Sequence, residues 1–144
     1  MKKALKLLIA MILLTFTLTG CSMLDGSDYK WDFDYEPKEI KSIQIVEMTE
    51  GSSYNYTAIK EIDSSFYETI CAEIKAIDWE TYYFKLSYPK GTCFLIVFNT
   101  GEYDIISYEA PTHVEKKGGQ RDFYYSWLCC DEEQFEAIIN KYLN

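Results

Sequence analysis

The sequence predicts an α+β two-layer sandwich: a mostly antiparallel sheet with two helices on one face, in the order β-β-α-β-β-β-β-α. Three observations predict it. Apolar residues recur at helical spacing from Phe66 to Ile77 and again from Phe135 to Leu143. Before and between these stretches, short runs have the two-residue period of strands or are apolar on both faces. The links between those runs are only a few residues long, which favours antiparallel neighbours and a layer of helices set to one side.

Taken in order, Ile40 to Thr49 is the first strand, with Ile43 and Ile45 on one face and Val46 and Met48 on the other. That distribution implies a bulge or burial on both faces. Glu50-Gly51-Ser52 turns the chain into Ser53 to Lys60, the second strand of a hairpin. Asp63 to Ile77 is the first helix, with Ser65 and Glu68 spaced as a capping box and Phe66, Tyr67, Ile70, Cys71, Ile74 and Ile77 on one stripe. Thr81 to Tyr88 alternates as a strand, and Pro89-Lys90-Gly91 turns it. Thr92 to Phe98 is apolar on both faces, the mark of a central strand. Asn99-Thr100-Gly101 returns it into Glu102 to Tyr108. Glu109 to Arg121 is the least regular stretch and is expected to protrude as a hairpin turning at Gly118-Gly119. Asp122 to Cys130 is the last strand, and Asp131 caps the final helix, with Gln134 at the reciprocal position.

Ahead of these elements stands a different kind of sequence. Lys2, Lys3 and Lys6 form a positive segment, and Leu7 to Leu18 is apolar but for Thr15 and Thr17. Leu18-Thr19-Gly20-Cys21 follows. These residues resemble the export signal and lipobox of bacterial lipoproteins. The resemblance covers residues 1 to 21 and implies a diacylglyceryl thioether on Cys21 and cleavage between Gly20 and Cys21. Two acyl chains make a stable anchor where one would bind reversibly. The implied location is the extracytoplasmic side of a bacterial membrane. The organisation expected is a signal peptide over 1–20, an acidic and aromatic tether over 21–38, and one domain over 39–144. The tether's acids solvate a spacer whose aromatics, Tyr29, Trp31, Phe33 and Tyr35, touch the domain or the bilayer interface. Beyond residue 21 the pattern resembles small exported lipoproteins without pointing to a particular family.

Removing 20 of the 144 residues leaves 124, enough for one self-sufficient domain. The net charge is −9, and the signal holds three lysines and no acid, so the remainder carries −12. Such a chain is unsuited to nucleic acid and to lying flat on anionic lipid. Its acidity serves solubility or meets a basic partner. Cys71, Cys93, Cys129 and Cys130 remain once Cys21 is lipidated. In an oxidising compartment they either form disulfides, with the doublet split between Cys71 and Cys93, or stay as buried thiols.

The chemistry-bearing residues are sparse. His113 is the one histidine, so any Ser or Cys triad depends on it, and Cys129 or Cys130 is its conceivable nucleophile. The Cys doublet lacks the two-residue gap of metal and redox motifs. Asp28, Asp32, Asp34 and Glu36 lack the glycine and closing glutamate of a calcium loop. No catalytic residue, metal site or cofactor is assigned. Tyr83, Tyr103, Tyr108 and Tyr124 are expected together on the sheet face away from the helices, as a binding platform or as cross-strand packing. The function expected is a lipid-anchored, non-enzymatic binding or accessory domain at the cell envelope, with an envelope protein or peptide as partner. The alternatives are a small hydrolase of glycan or peptide and an immunity-type protein that shields the cell from a cationic toxin.

Overall fold

The computed structural model of the protein describes residues 30–49, 55–81 and 88–144. The signal, the lipobox with Gly20 and Cys21, the first hairpin turn, Tyr83 and most of the strand expected at Thr81 to Tyr88 lie outside the described residues. Strands β1 (Ile40–Met48), β2 (Tyr56–Glu61), β4 (Thr92–Phe98), β5 (Tyr103–Ile106), β6 (Thr112–Lys117) and β7 (Gln120–Tyr125) form one sheet in the order β2-β1-β4-β5-β6-β7. Every neighbouring pair in it is antiparallel. Two residues each from β3 (Glu80–Thr81) and β8 (Leu128–Cys129) make a small second ladder. Helices α1 (Tyr67–Lys75) and α2 (Glu132–Leu143) complete the α+β sandwich.

Both helices pack on the same face. Ile70, Cys71 and Ile74 of α1 and Phe135, Ile138 and Ile139 of α2 share a buried cluster with Ile43, Ile45, Phe94, Ile96 and Ile106. The opposite face has its own buried cluster of Val46, Met48, Cys93, Leu95, Tyr103, Ile105 and Val114. This is why β4 is apolar on both sides. Both possibilities offered for β1 are realised: its two faces are buried, and its pairing with β2 shifts between Ile45 and Val46. A further shift against β4, between Ile40 and Ser42, turns Ile40 to the same side as Ile43.

Three elements begin or end where the sequence did not lead us to expect. A 3-10 turn, Ser64–Phe66, precedes α1, so the residue that caps it is Asp63, whose Oδ1 accepts from the Ser65 amide at 2.9 Å. The expected Asp122 to Cys130 strand is broken at Ser126, where the chain leaves β6 to pair with β3. Residues of the supposed tether belong to the body: Phe33 is only 6% exposed, and Trp31 and Tyr35 pack against the helix-side core. At α2 the expected cap is present, with Asp131 Oδ1 accepting from the Gln134 amide at 2.8 Å. Asp131→Ala is expected to lower stability by about 1 kcal/mol, read as an earlier urea midpoint at unchanged slope.

The four described cysteines are free thiols. Cys71 lies in the helix-side cluster and Cys93 in the opposite one, so the sheet stands between them. Burial pushes the Cys71 thiol from 9.0 to about 11 and that of Cys130 to about 12. The unfolded chain therefore releases these protons first. The stabilisation is complete below pH 9 and falls as the pH rises towards 11. Urea melts are expected to show an alkaline loss of stability that is reduced in Cys71→Ala. Denatured protein without Cys21 is expected to titrate as four thiols, with Cys71 and Cys93 unreactive until it unfolds.

Candidate functional site

The arm from Lys30 to Glu36 runs across part of the helix-side face of the sheet. Its residues alternate in exposure: Trp31, Phe33 and Tyr35 turn inward, while Asp32, Asp34 and Glu36 turn to solvent. The segment is not a strand: the Asp32 amide bonds back to the Lys30 carbonyl at 3.2 Å. Phe33 stacks on Trp79 with ring centroids 4.6 Å apart, and Tyr35 lies 5.9 Å from Phe98. Phe33 also has φ +52, an uncommon backbone conformation for a bulky residue. Lys75 of α1 fastens the outer side of the arm through a 2.6 Å contact to Asp34.

Beneath the arm lies a buried polar group. Asp104 (0% exposed) and His113 (3%) face each other across the β5–β6 ladder. His113 Nδ1 is 2.5 Å from Asp104 Oδ1, and the Tyr35 hydroxyl donates to Asp104 Oδ2 at 2.6 Å. One carboxyl group thus joins the arm, β5 and β6. On the other side of the imidazole, Nε2 is 3.9 Å from Glu115 Oε1. The Lys117 ammonium, 2.5 Å from Glu115, pulls that carboxyl below the ordinary carboxylate range. Tyr124 donates to Glu115 at 3.2 Å, and its ring lies 5.9 Å from the imidazole.

Arm, sheet and the β4–β5 turn enclose a cleft of about 550 Å³. Its aromatic walls are Trp31, Phe33, Tyr35 and Phe98. Its carboxyl groups are Asp32, Asp34, Glu36, Glu39, Glu102 and Glu115, set against Lys30 and His113. The size falls within the range of small-ligand pockets. No serine or cysteine lines it; its side-chain hydroxyl groups are those of Tyr35 and Thr100. Among the described residues, no group of three or more His, Cys, Asp or Glu is arranged to hold a metal ion.

Of the tyrosines singled out in the sequence, the three among the described residues, Tyr103, Tyr108 and Tyr124, do not gather on one open face. Register explains why: Val114 pairs with both Tyr103 and Phe123, whereas His113 pairs with Tyr124, one residue out of step. Tyr103 is therefore buried in the cluster opposite the helices, and Tyr124 lies on the helix side beside His113. Tyr108 packs at the margin of the helix-side core, with Lys90 Nζ 5.6 Å from its ring centroid. His113 belongs to strand β6 and not to a loose loop. Cys129 is placed elsewhere, paired with Glu80 and bridged to Glu109. The residues that reading the sequence missed are Asp104 and the arm aromatics as pocket walls. The two-residue alternation of acids and rings was the available signal for the arm. Nothing local marks Asp104, because its partner is nine residues away on another strand.

No protein-family model, curated protein or solved structure matches the chain. Among the described residues no helix is long and apolar enough to cross a membrane.

Proposed function

We propose that this chain is a lipid-anchored binding domain on the extracytoplasmic side of a bacterial envelope, and that its ligand or partner occupies the cleft between the arm and the sheet. The observation that carries the binding reading is the cleft itself. Aromatic walls and several carboxyl groups converge there from the arm, the β4–β5 turn and β6. The anchor reading rests on the Leu18-Thr19-Gly20-Cys21 lipobox, which lies only a short stretch of chain from the arm. A partner held in the cleft would then sit close to the membrane.

The Asp104–His113 pair favours a hydrolase as the second reading, because a buried acid that orients imidazole is a recurring general-base device. The lining argues the other way. It holds neither serine nor cysteine, and its carboxyl groups oppose the negative charge that develops in acyl transfer. The pair is better explained as the fixture that holds the arm over the sheet.

Site-specific photocrosslinking in intact cells tests the binding reading. A photoreactive residue at Thr100, exposed at the cleft, is expected to give discrete adducts. The same residue at Asn140, exposed on α2, is expected to give none of these. Equal adducts from both positions would sink the assignment to the cleft.

A further inference from the structure

We infer that the cleft takes a cationic group on an apolar stem, namely the alkylammonium or guanidinium of a basic peptide or of a free polyamine. This inference rests on the reading of the cleft as the binding site. The cavity supplies its first support. Trp31, Phe33, Tyr35 and Phe98 give it ring surfaces that pack against methylene groups and attract a cation through their faces.

The charge pattern supplies the second. Six carboxyl groups line the cleft; Asp32, Asp34, Glu36 and Glu115 are each paired with a lysine, Lys30, Lys75, Lys38 and Lys117, and with Glu39 and Glu102 added the balance is still negative. They come from separate parts of the chain: three from the arm, Glu39 from the start of β1, Glu102 from the β4–β5 turn and Glu115 from β6. An anionic ligand would meet this excess of negative charge. A neutral ligand would bring no new counter-charge to Glu39 and Glu102.

The protein's own lysines show the same recognition at the edge of the cleft. Lys117 Nζ sits 2.5 Å from Glu115, 3.3 Å from the Tyr124 hydroxyl and 5.9 Å from the Tyr124 ring centroid. Lys75 Nζ holds Asp34 at 2.6 Å. Both lysine side chains are more than half exposed, at 65% and 53%. Exposed ion pairs of this kind contribute little to stability. An incoming ammonium can therefore replace them at small cost, and the bound cation would exchange for an internal one.

The experiment is a calorimetric titration of the full chain in neutral detergent, with four probes. They are the peptide Lys-Ala-Lys-Ala-Lys, its counterpart Glu-Ala-Glu-Ala-Glu, spermidine and the neutral sugar chitotriose. The lysine peptide or spermidine is expected to bind and the acidic and neutral probes to fail. Affinity is expected to drop by about tenfold as salt rises from about 50 mM to about 300 mM. Glu39→Gln combined with Glu102→Gln, checked for an unchanged thermal midpoint, is expected to weaken binding by at least about fivefold. Trp31→Leu tests the aromatic wall in the same way. Binding of the lysine peptide supports a peptide ligand, and binding of spermidine alone supports a free polyamine. If chitotriose or the acidic peptide binds instead and Trp31→Leu weakens it, the cleft stands as a site and the cationic class is overturned. If none of the four binds, the cationic class is likewise overturned. If the lysine peptide binds equally well to all variants, its site lies elsewhere and both readings of the cleft fall.

Discussion

Asp104→Ala is expected to destabilise the protein by about 3 kcal/mol and to release the arm. Asp104 is fully buried and accepts hydrogen bonds from His113, which is also buried, and from Tyr35, which is half-buried. Removing the carboxyl leaves two donors without this acceptor, each costing about 1–3 kcal/mol, and opens a small cavity besides. The effect should also be regional. Tyr35 loses its hold, so Trp31 and Phe33 gain solvent access while the β1–β4 centre of the sheet persists. Urea melts measure the first consequence and hydrogen exchange of residues 31–36 the second. Asp104→Asn keeps the shape and one acceptor and should cost less than half as much. If Asp104→Ala matches the wild type in both measurements, the buried group does not secure the arm.

Cys21→Ala is expected to abolish incorporation of labelled fatty acid completely and to leave a precursor longer by the 20 residues of the signal. The thioether needs the thiol, and no neighbouring side chain can replace it. Cells carrying the variant should also lose the mature membrane-bound form, because two acyl chains provide the stable anchoring. Continued labelling of the variant would show that the lipobox reading is wrong.

The sheet was legible in the sequence where burial has a regular period. β4 announced its central place because helices cover one of its faces and a second apolar cluster covers the other. α2 was marked by its stripe and by Asp131. The hairpin at Gly118-Gly119 was marked by two glycines that both adopt positive φ, +57 and +84. What stayed hidden depends on partners and not on pattern. The stretch from Asp122 to Cys130 keeps a strand-like alternation while the chain changes from one ladder to another at Ser126, where its amide bonds to Pro111. Tyr103 and Tyr124 look equivalent until the register sets them on opposite faces. Asp104 sits in a run of Tyr103, Ile105 and Ile106 that reads simply as strand, and only the β5–β6 pairing gives it His113. Residues 22–38 read as spacer because Gly, Ser and Pro punctuate them and their early part has no period; of the two expectations for the rings, contact with the domain is the one the structure shows for Trp31, Phe33 and Tyr35.

The arm has a mechanical consequence. The wall that closes the cleft is the same short segment through which any leash from Cys21 joins the body. Tension on that leash would load the Phe33–Trp79 stack and the Tyr35–Asp104 contact before it reached β1. The bonds of the β1–β4 ladder lie further along the chain and would bear force only after the arm had peeled. If Cys21 carries the proposed anchor, movement of the body away from the membrane would thus act directly on the shape of the cleft.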